Sequence, residues 1–232
     1  MSTTQRHGPR PDPKEIYALT FDCYGTLIDW RSGVRSACAA TPSLEGCDLE
    51  RLIRERELVE RDIQRDVYRP YGEVLAESLV LAAKNQARVV SLDEAGAFAA
   101  TMRSWPPFDE SRAALRRLAR HYQLAILSNV ETDVLKSSVQ ALDAPFEDLI
   151  TAEMLGSYKP RRAHFDSALE RLGLAKERVL HVACSLYHDI APASELGWFT
   201  AWVNRDGEPS PPDLAPSWVV SDLSTLAAAL GC

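Results

Sequence analysis

Short apolar runs and amphipathic stretches alternate along most of this chain. Ile16–Phe21, Gln123–Leu127, Arg178–Ala183 and Phe199–Val203 have the length and β-rich character of buried strands, with Trp218–Val220 as a fifth. Between them apolar residues recur at helical spacing over Glu110–Arg120, Thr132–Leu142, Ala163–Leu172 and Asp189–Leu196. Near-continuous apolar strands joined by amphipathic helices predict a parallel sheet covered on both faces. From about 32 to 104 that alternation stops. The pairs Leu52-Ile53, Leu58-Val59 and Val74-Leu75, then Leu79-Val80-Leu81, recur at helical spacing among charged residues, with no convincing strand before Val89-Val90. The pattern therefore predicts an α/β fold, a Rossmann-like parallel sheet flanked by helices with an inserted helical cap. The core takes 15–31 and 105–232, and the cap 32–104. Trp30-Arg31-Ser32-Gly33 and Ser104-Trp105-Pro106-Pro107-Phe108 are the hinges, because a proline pair cannot continue a helix. The polar, proline-rich stretch 1–14 reads as a flexible leader without the apolar run of a signal peptide.

Composition narrows the setting. Of 232 residues, 46% are apolar and 25% charged, which excludes disorder as the main state. The net charge of −7 argues against a nucleic-acid partner, which needs a concentrated basic face. No apolar run approaches the ~20 residues of a membrane span. Five cysteines, Cys23, Cys38, Cys47, Cys184 and Cys232, are irregularly spaced with no CxxC pair. Neither a disulfide framework nor a zinc site is expected, and a reducing cytoplasm is the simplest compartment.

Ligands of open α/β sheets bind beyond the carboxyl ends of the strands. Those ends carry Asp22, Ser128-Asn129 and the loop from Cys184 to Asp189, and Lys159 precedes a helix in Ser157-Tyr158-Lys159-Pro160. Singly, each has a structural explanation as a cap, a turn former or a helix start. Together they bring two carboxylates, a hydroxyl–amide pair and one of five lysines, in a chain with 21 arginines, towards one edge of the sheet.

Three of these segments, Phe21-Asp22-Cys23-Tyr24-Gly25-Thr26-Leu27, Leu127-Ser128-Asn129 and Tyr158-Lys159-Pro160, resemble the first three motifs of the haloacid dehalogenase superfamily. Within it the chain resembles the (S)-2-haloacid dehalogenases, also called type II, over nearly its whole length from about Glu15. Two positions separate it from the phosphatases of the superfamily. Where a phosphatase carries a proton-donating aspartate two residues after the nucleophile, this chain has Tyr24, a phenol of pKa ~10. Where a phosphatase has the first magnesium-binding acid of its fourth motif, this chain has Cys184, and Mg²⁺ prefers hard oxygen ligands. Halide leaves as a stable anion and needs neither group.

The resemblance implies a metal- and cofactor-free hydrolysis of short 2-halocarboxylic acids to 2-hydroxy acids. Asp22 would be the nucleophile, Lys159 its charge partner and Asp189 the group acting on water. Ser128 and Thr26 would hydrogen-bond the carboxylates, and backbone N–H groups near Cys23 and Tyr24 would stabilise an oxyanion. Arg54 and Asn129 would contact the halide, and Tyr24, Ser185 and His188 would line the site. Which of Ser185, Tyr187 and His188 faces the pocket stays open. Tyr24, Trp30, Trp105 and Trp198 are candidate walls. Phe165 stands where the family has an aromatic hydroxyl six residues after the lysine. The family also implies a homodimer. A phosphatase with an altered metal site and a non-catalytic small-acid-binding protein are the alternatives.

Overall fold

The computed structural model describes residues 8–232. Six strands form one sheet: β1 (Ala18–Phe21), β2 (Gln123–Ser128), β3 (Asp148–Thr151), β4 (Val179–Ala183), β5 (Phe199–Val203) and β6 (Trp218–Val220). Their order is β3-β2-β1-β4-β5-β6 and every pairing is parallel. The chain builds outward from β1 in one direction, then returns to continue from its other side at β4. That reversal opens a crevice at the carboxyl end of β1, which is where Asp22 emerges. All four residues of β1 are buried, as the apolar run requires of a strand flanked on both sides.

The strand β3 is absent from the sequence expectation. Its segment Asp148-Leu149-Ile150-Thr151 is a four-residue edge strand pairing with β2 alone, too short for an apolar run to stand out. The helix expected over 189–196 divides into a π-helical turn, Leu186–Ile190, and a short helix starting at Ala191. Val89 and Val90 form no strand.

Between β1 and the helix at Ser111–Leu118 the chain is helical: α1 (Trp30–Ala39), α2 (Leu49–Gln64), α3 (Tyr71–Lys84) and α4 (Leu92–Ala100). Capping residues mark their starts. Asp29 accepts from Ser32 N–H, Asp48 from Arg51 N–H, and Ser91 with Glu94 forms a reciprocal capping box. The remaining helices are α5 (Ser111–Leu118), α6 (Thr132–Leu142), α7 (Ala152–Leu155), α8 (Ala163–Leu172), α9 (Ala191–Glu195) and α10 (Leu223–Ala229). No described helix is long and apolar enough to cross a membrane.

Entry to the helical segment and exit from it lie side by side. Asp29 N–H donates to Pro106 O at 2.8 Å, Phe108 N–H to Leu27 O at 3.1 Å, and Ile28 bridges Pro107 in antiparallel fashion. Gly33 on α1 lies against the Trp105 ring, and a Cβ there would fall 2.3 Å from it. Gly33→Ala should therefore destabilise the fold by about 1–3 kcal/mol through overpacking, read as a lower midpoint in urea unfolding. Residues 30–33, expected as a hinge, are the first turn of α1, and a midpoint unchanged or raised would show that Trp105 does not pin that turn.

Residues 1–7 of the expected leader lie outside the described residues. The rest of it differs from the loose segment expected: Gly8 N–H donates to Pro216 O at 3.0 Å and Arg10 Nε to Ser217 O at 2.8 Å.

Candidate active site

The turn after β1 aims Asp22 into the crevice. Cys23 O accepts from the N–H groups of Leu27 and Ile28, closing a loop that needs Gly25 at φ +97°. A Cβ on Gly25 would also lie 2.7 Å from Cys184 Sγ. Inside this loop Thr26 donates its hydroxyl proton to Asp22 Oδ2 at 2.8 Å and accepts from Cys184 N–H at 2.9 Å. The first and fourth loops are thus tied through one buried threonine. The N–H groups of Cys23 and Tyr24, next to the Asp22 carboxylate, donate to no acceptor among the described residues.

Lys159 uses all three of its protons. Its Nζ donates to Asp22 Oδ1 at 3.0 Å, Asp189 Oδ1 at 2.6 Å and Leu127 O at 2.7 Å. The backbone at Lys159 is clasped by Asn129, whose Nδ2 donates to Lys159 O at 3.0 Å and whose Oδ1 accepts Lys159 N–H at 2.7 Å. Asn129 also lines the cavity, and the one bond its Nδ2 makes to Lys159 O leaves its second N–H available there. Asp189 Oδ1 accepts a second bond from His181 Nε2 at 3.0 Å, and its Oδ2 is buried without a partner among the described residues.

Charge and burial separate the two carboxylates. Burial raises Asp22 above the usual carboxylate range, more than Lys159 and the Thr26 hydroxyl lower it, and Asp189 adds to the rise. Burial would also raise Asp189, but Lys159 and His181 outweigh it and hold that carboxyl well below its usual range. Burial disfavours the Lys159 ammonium, yet Asp189 and Asp22 together raise it above an ordinary lysine. The first proton taken up on acidification therefore goes to Asp22.

Opposite these groups the helical segment forms one wall of a partly open cavity of about 560 Å³. Arg54, the cap arginine expected there, is exposed on α2 and does not line it. Arg56 does: it is 2% exposed, packs over the Trp30 ring and bonds Glu60 Oε2 through Nη1 at 2.5 Å. Its Nε has no partner among the described residues. The helical period carries this correction, because Arg56 lies four residues from buried Leu52 and three from buried Ile53. Glu60 is held in turn by Tyr71 OH at 2.9 Å and Gln64 Nε2 at 3.2 Å.

The other expected residues divide as follows. Ser128, Ser185 and His188 line the cavity, whereas the Tyr187 ring lies under Arg61 of α2. Tyr24 forms a wall with Trp30 and Trp105. Its hydroxyl is turned to Ser138 Oγ at 2.9 Å and burial raises its pKa well above the ordinary value, so it is no proton donor to the cavity. The Cys23 thiol is buried in the core, leaving its backbone as the group nearest the site. Trp198 is no wall; it packs on Phe165 and His181. Among the described residues nine buried side-chain polar atoms lack a partner, and six belong to residues lining this cavity (Arg56, Gln64, Ser128, His188, Asp189 and Arg205). Unpaired buried groups are costly, so this cavity wall holds donors and acceptors that water or a polar ligand can satisfy.

Magnesium, which the phosphatases of this fold use, does not fit the donor set. The ammonium of Lys159 sits between the two carboxylates, and the fourth-loop position where the phosphatases carry their first magnesium-binding acid holds Cys184, whose thiol burial pushes up to about 12.

A doubly flanked β1 thus delivers a carboxylate to the switch point of a parallel α/β sheet, where it pairs with a buried lysine. A family model described as haloacid dehalogenase-like hydrolase matches residues 16–197. Haloacetate dehalogenase H-2 of Moraxella sp. (strain B) is 32% identical over 201 residues, spanning 84% of this chain and 88% of the relative. (S)-2-haloacid dehalogenase 4A of Burkholderia cepacia is 29% identical over 87% of this chain and 88% of its own. An L-2-haloacid dehalogenase from Xanthobacter autotrophicus with chloropropionic acid covalently bound superposes with a TM-score of 0.80 at 21% identity, over 93% and 98% of the two chains. This chain belongs to the haloacid dehalogenase-like hydrolases.

Proposed function

We propose that this hydrolase displaces halide from short 2-halocarboxylic acids, without a metal, through an ester on Asp22. The single observation that carries the proposal is the lysine ammonium shared between Asp22 and Asp189, in a site whose proton donor and metal-ligand positions hold Tyr24 and Cys184. The names of the relatives just described agree with it.

In the first step Asp22 attacks the halogen-bearing carbon from behind, the C–O bond forms as the carbon–halogen bond breaks, and that carbon inverts. Lys159 and Thr26 hold the attacking carboxylate, and Ser128 meets the substrate carboxylate. Arg56 donates to the departing halide in a pocket screened from water by Trp30 and Trp105. In the second step water attacks the ester carbonyl, oriented by Asp189, and the free N–H groups of Cys23 and Tyr24 take the oxyanion. The cap is 32–104 in this scheme, and its task is to supply Arg56 and the aromatic walls.

Limited turnover in ¹⁸O-labelled water tests the ester directly. One oxygen of Asp22 should carry label in the peptide mass spectrum while the hydroxy acid of the first turnover stays unlabelled. Label in the product alone would mean that water attacks the substrate carbon. Halide release should be indifferent to EDTA. Magnesium-dependent release of phosphate from phosphate esters, with no halide from chloroacetate, would instead assign a phosphatase.

The two cap arginines give a paired prediction. Arg56→Lys should lower kcat/KM about 10²-fold, because a point ammonium cannot reproduce the planar donor set stacked on Trp30. Arg54→Ala should stay within about twofold of the parent, as an exposed side chain away from the pocket. The reverse order of effects would return the halide site to Arg54.

A further inference from the structure

His181 lies on β4 with its side chain fully buried, edge-on to the rings of Phe165 at 5.3 Å and Trp198 at 6.3 Å. Both ring nitrogens are engaged, Nε2 with Asp189 Oδ1 at 3.0 Å and Nδ1 with Thr20 Oγ1 at 2.9 Å. An ionised carboxylate accepts only, so Nε2 carries the proton. In the neutral ring Nδ1 then accepts from the Thr20 hydroxyl, and Thr20 on β1 thereby fixes the tautomer. Phe165, beside the ring, has no hydroxyl to offer Asp189, so this imidazole is the partner that joins Lys159 there. Asp189 Oδ1 is consequently pinned from two directions, by Lys159 and by His181. A carboxylate held through one oxygen by two non-parallel bonds cannot rotate about its Cβ–Cγ bond without breaking one of them. Its unpartnered Oδ2 is left in a set direction at the cavity wall.

We propose that His181, oriented by Thr20, is a positioning residue for the second half-reaction: it sets Asp189 Oδ2 towards the water that hydrolyses the Asp22 ester. The inference rests on the aspartyl-ester scheme above. In that step the water oxygen bonds to Asp22 Cγ and the Cγ–O bond to the hydroxy acid breaks. One water proton passes by way of Asp189 to the departing hydroxy-acid oxygen, and the other is released as Asp22 ionises again. Displacement of halide needs none of this. Asp22 is gripped by Thr26 and Lys159, neither of which bonds to His181. The two half-reactions should therefore respond differently to His181.

Rapid-quench turnover of 2-chloropropionate separates them. With His181→Phe, the first halide should appear within about threefold of the parent rate while steady-state kcat falls about 30–100-fold. Halide should then emerge as a burst of one per site, with the alkyl adduct accumulating on the Asp22 peptide. His181→Gln, whose amide keeps a donor, should recover most of the lost rate. Thr20→Val, nearly isosteric, should show the same burst at smaller amplitude, and it carries the test if His181→Phe fails to fold. The acid limb of the hydrolysis step should move to higher pH in His181→Phe, since Asp189 loses a donor that favours its charged form. Equal slowing of both steps, or a fall in kcat with no adduct in either variant, would reduce His181 to a packing residue and overturn the proposal. A parent enzyme that releases no halide would be a different failure, that of the aspartyl-ester scheme itself, and would take the proposal with it.

Discussion

Asp22→Asn should reduce halide release at least about 10⁴-fold and leave the protein as stable as its parent or more so. The catalytic loss follows from chemistry: an amide oxygen is a poor nucleophile, and no neighbouring carboxylate occupies the same line of attack. The stability follows from the sign of the Asp22 shift. Burial holds the folded-state pKa of Asp22 above its unfolded value. Such an acid costs the folded state free energy once the pH rises through that raised pKa, because the charge is easier to carry in the unfolded chain. Asparagine never ionises, and Lys159 keeps Asp189 and Leu127 O as acceptors. The variant should unfold at the same or higher denaturant concentration at pH 8, with its advantage shrinking at lower pH as parental Asp22 takes up a proton. Substantial residual turnover would remove Asp22 from the nucleophile position. A large loss of stability would mean that the ionised carboxylate is an essential part of the fold.

The same inequality between the two carboxylates shapes the expected pH profile of the first step. Asp22 must be ionised to attack, so displacement should fail on the acid side at a pH above the ordinary aspartate range, whereas Asp189 stays charged throughout.

Much of this site was legible because its residues follow strand ends, where an apolar run stops and chemistry begins. Asp22 and Ser128-Asn129 needed only the strand pattern to be placed at one edge of the sheet, and β1, β2, β4 and β5 were long or apolar enough to stand out. The parts that were not legible depend on neighbours distant in sequence. β3 is an edge strand with one partner, so its sequence carries little of the double-sided burial that marks the others. Asn129 turns out to clasp Lys159 through a pairing 30 residues apart, which spacing alone does not announce. His181 sits inside a strand and looks like an interruption of an apolar run until Asp189 and Thr20 are found on either side of it. Arg54 and Arg56 differ in a way that the helical period does carry. The register of Leu52 and Ile53 assigns Arg56 to the buried face of α2 and leaves Arg54 exposed.

Lys159→Met should be the most damaging single change, costing about 3–5 kcal/mol of stability near neutral pH and nearly all activity. Methionine fills a similar volume, so packing is largely kept and the effect isolates the charge. Asp22 Oδ1 and Asp189 Oδ1 both lie within 3.0 Å of one nitrogen, and without it two buried carboxylates face each other with no cation between them. Two such groups cannot both stay ionised, and the pair would hold a proton well into the neutral range. Nucleophile and water-orienting group would then compete for that proton, so neither half-reaction has its required charge state. The pH dependence of stability should reverse as well. In the parent, the depressed Asp189 contributes stability that is present above the unfolded carboxylate pKa and lost as the pH falls through its lower folded value. In the variant, the raised pair costs stability as the pH rises, so the stability deficit should be small at pH 5 and largest at pH 8. Lys159→Arg should not rescue activity, since a planar guanidinium cannot direct donors to Asp22, Asp189 and Leu127 O from one tetrahedral centre. Urea unfolding of parent and variant at the two pH values decides the matter. A deficit equal at both would mean that Lys159 supports the site by its bulk, and that its charge is not what keeps Asp22 and Asp189 ionised together.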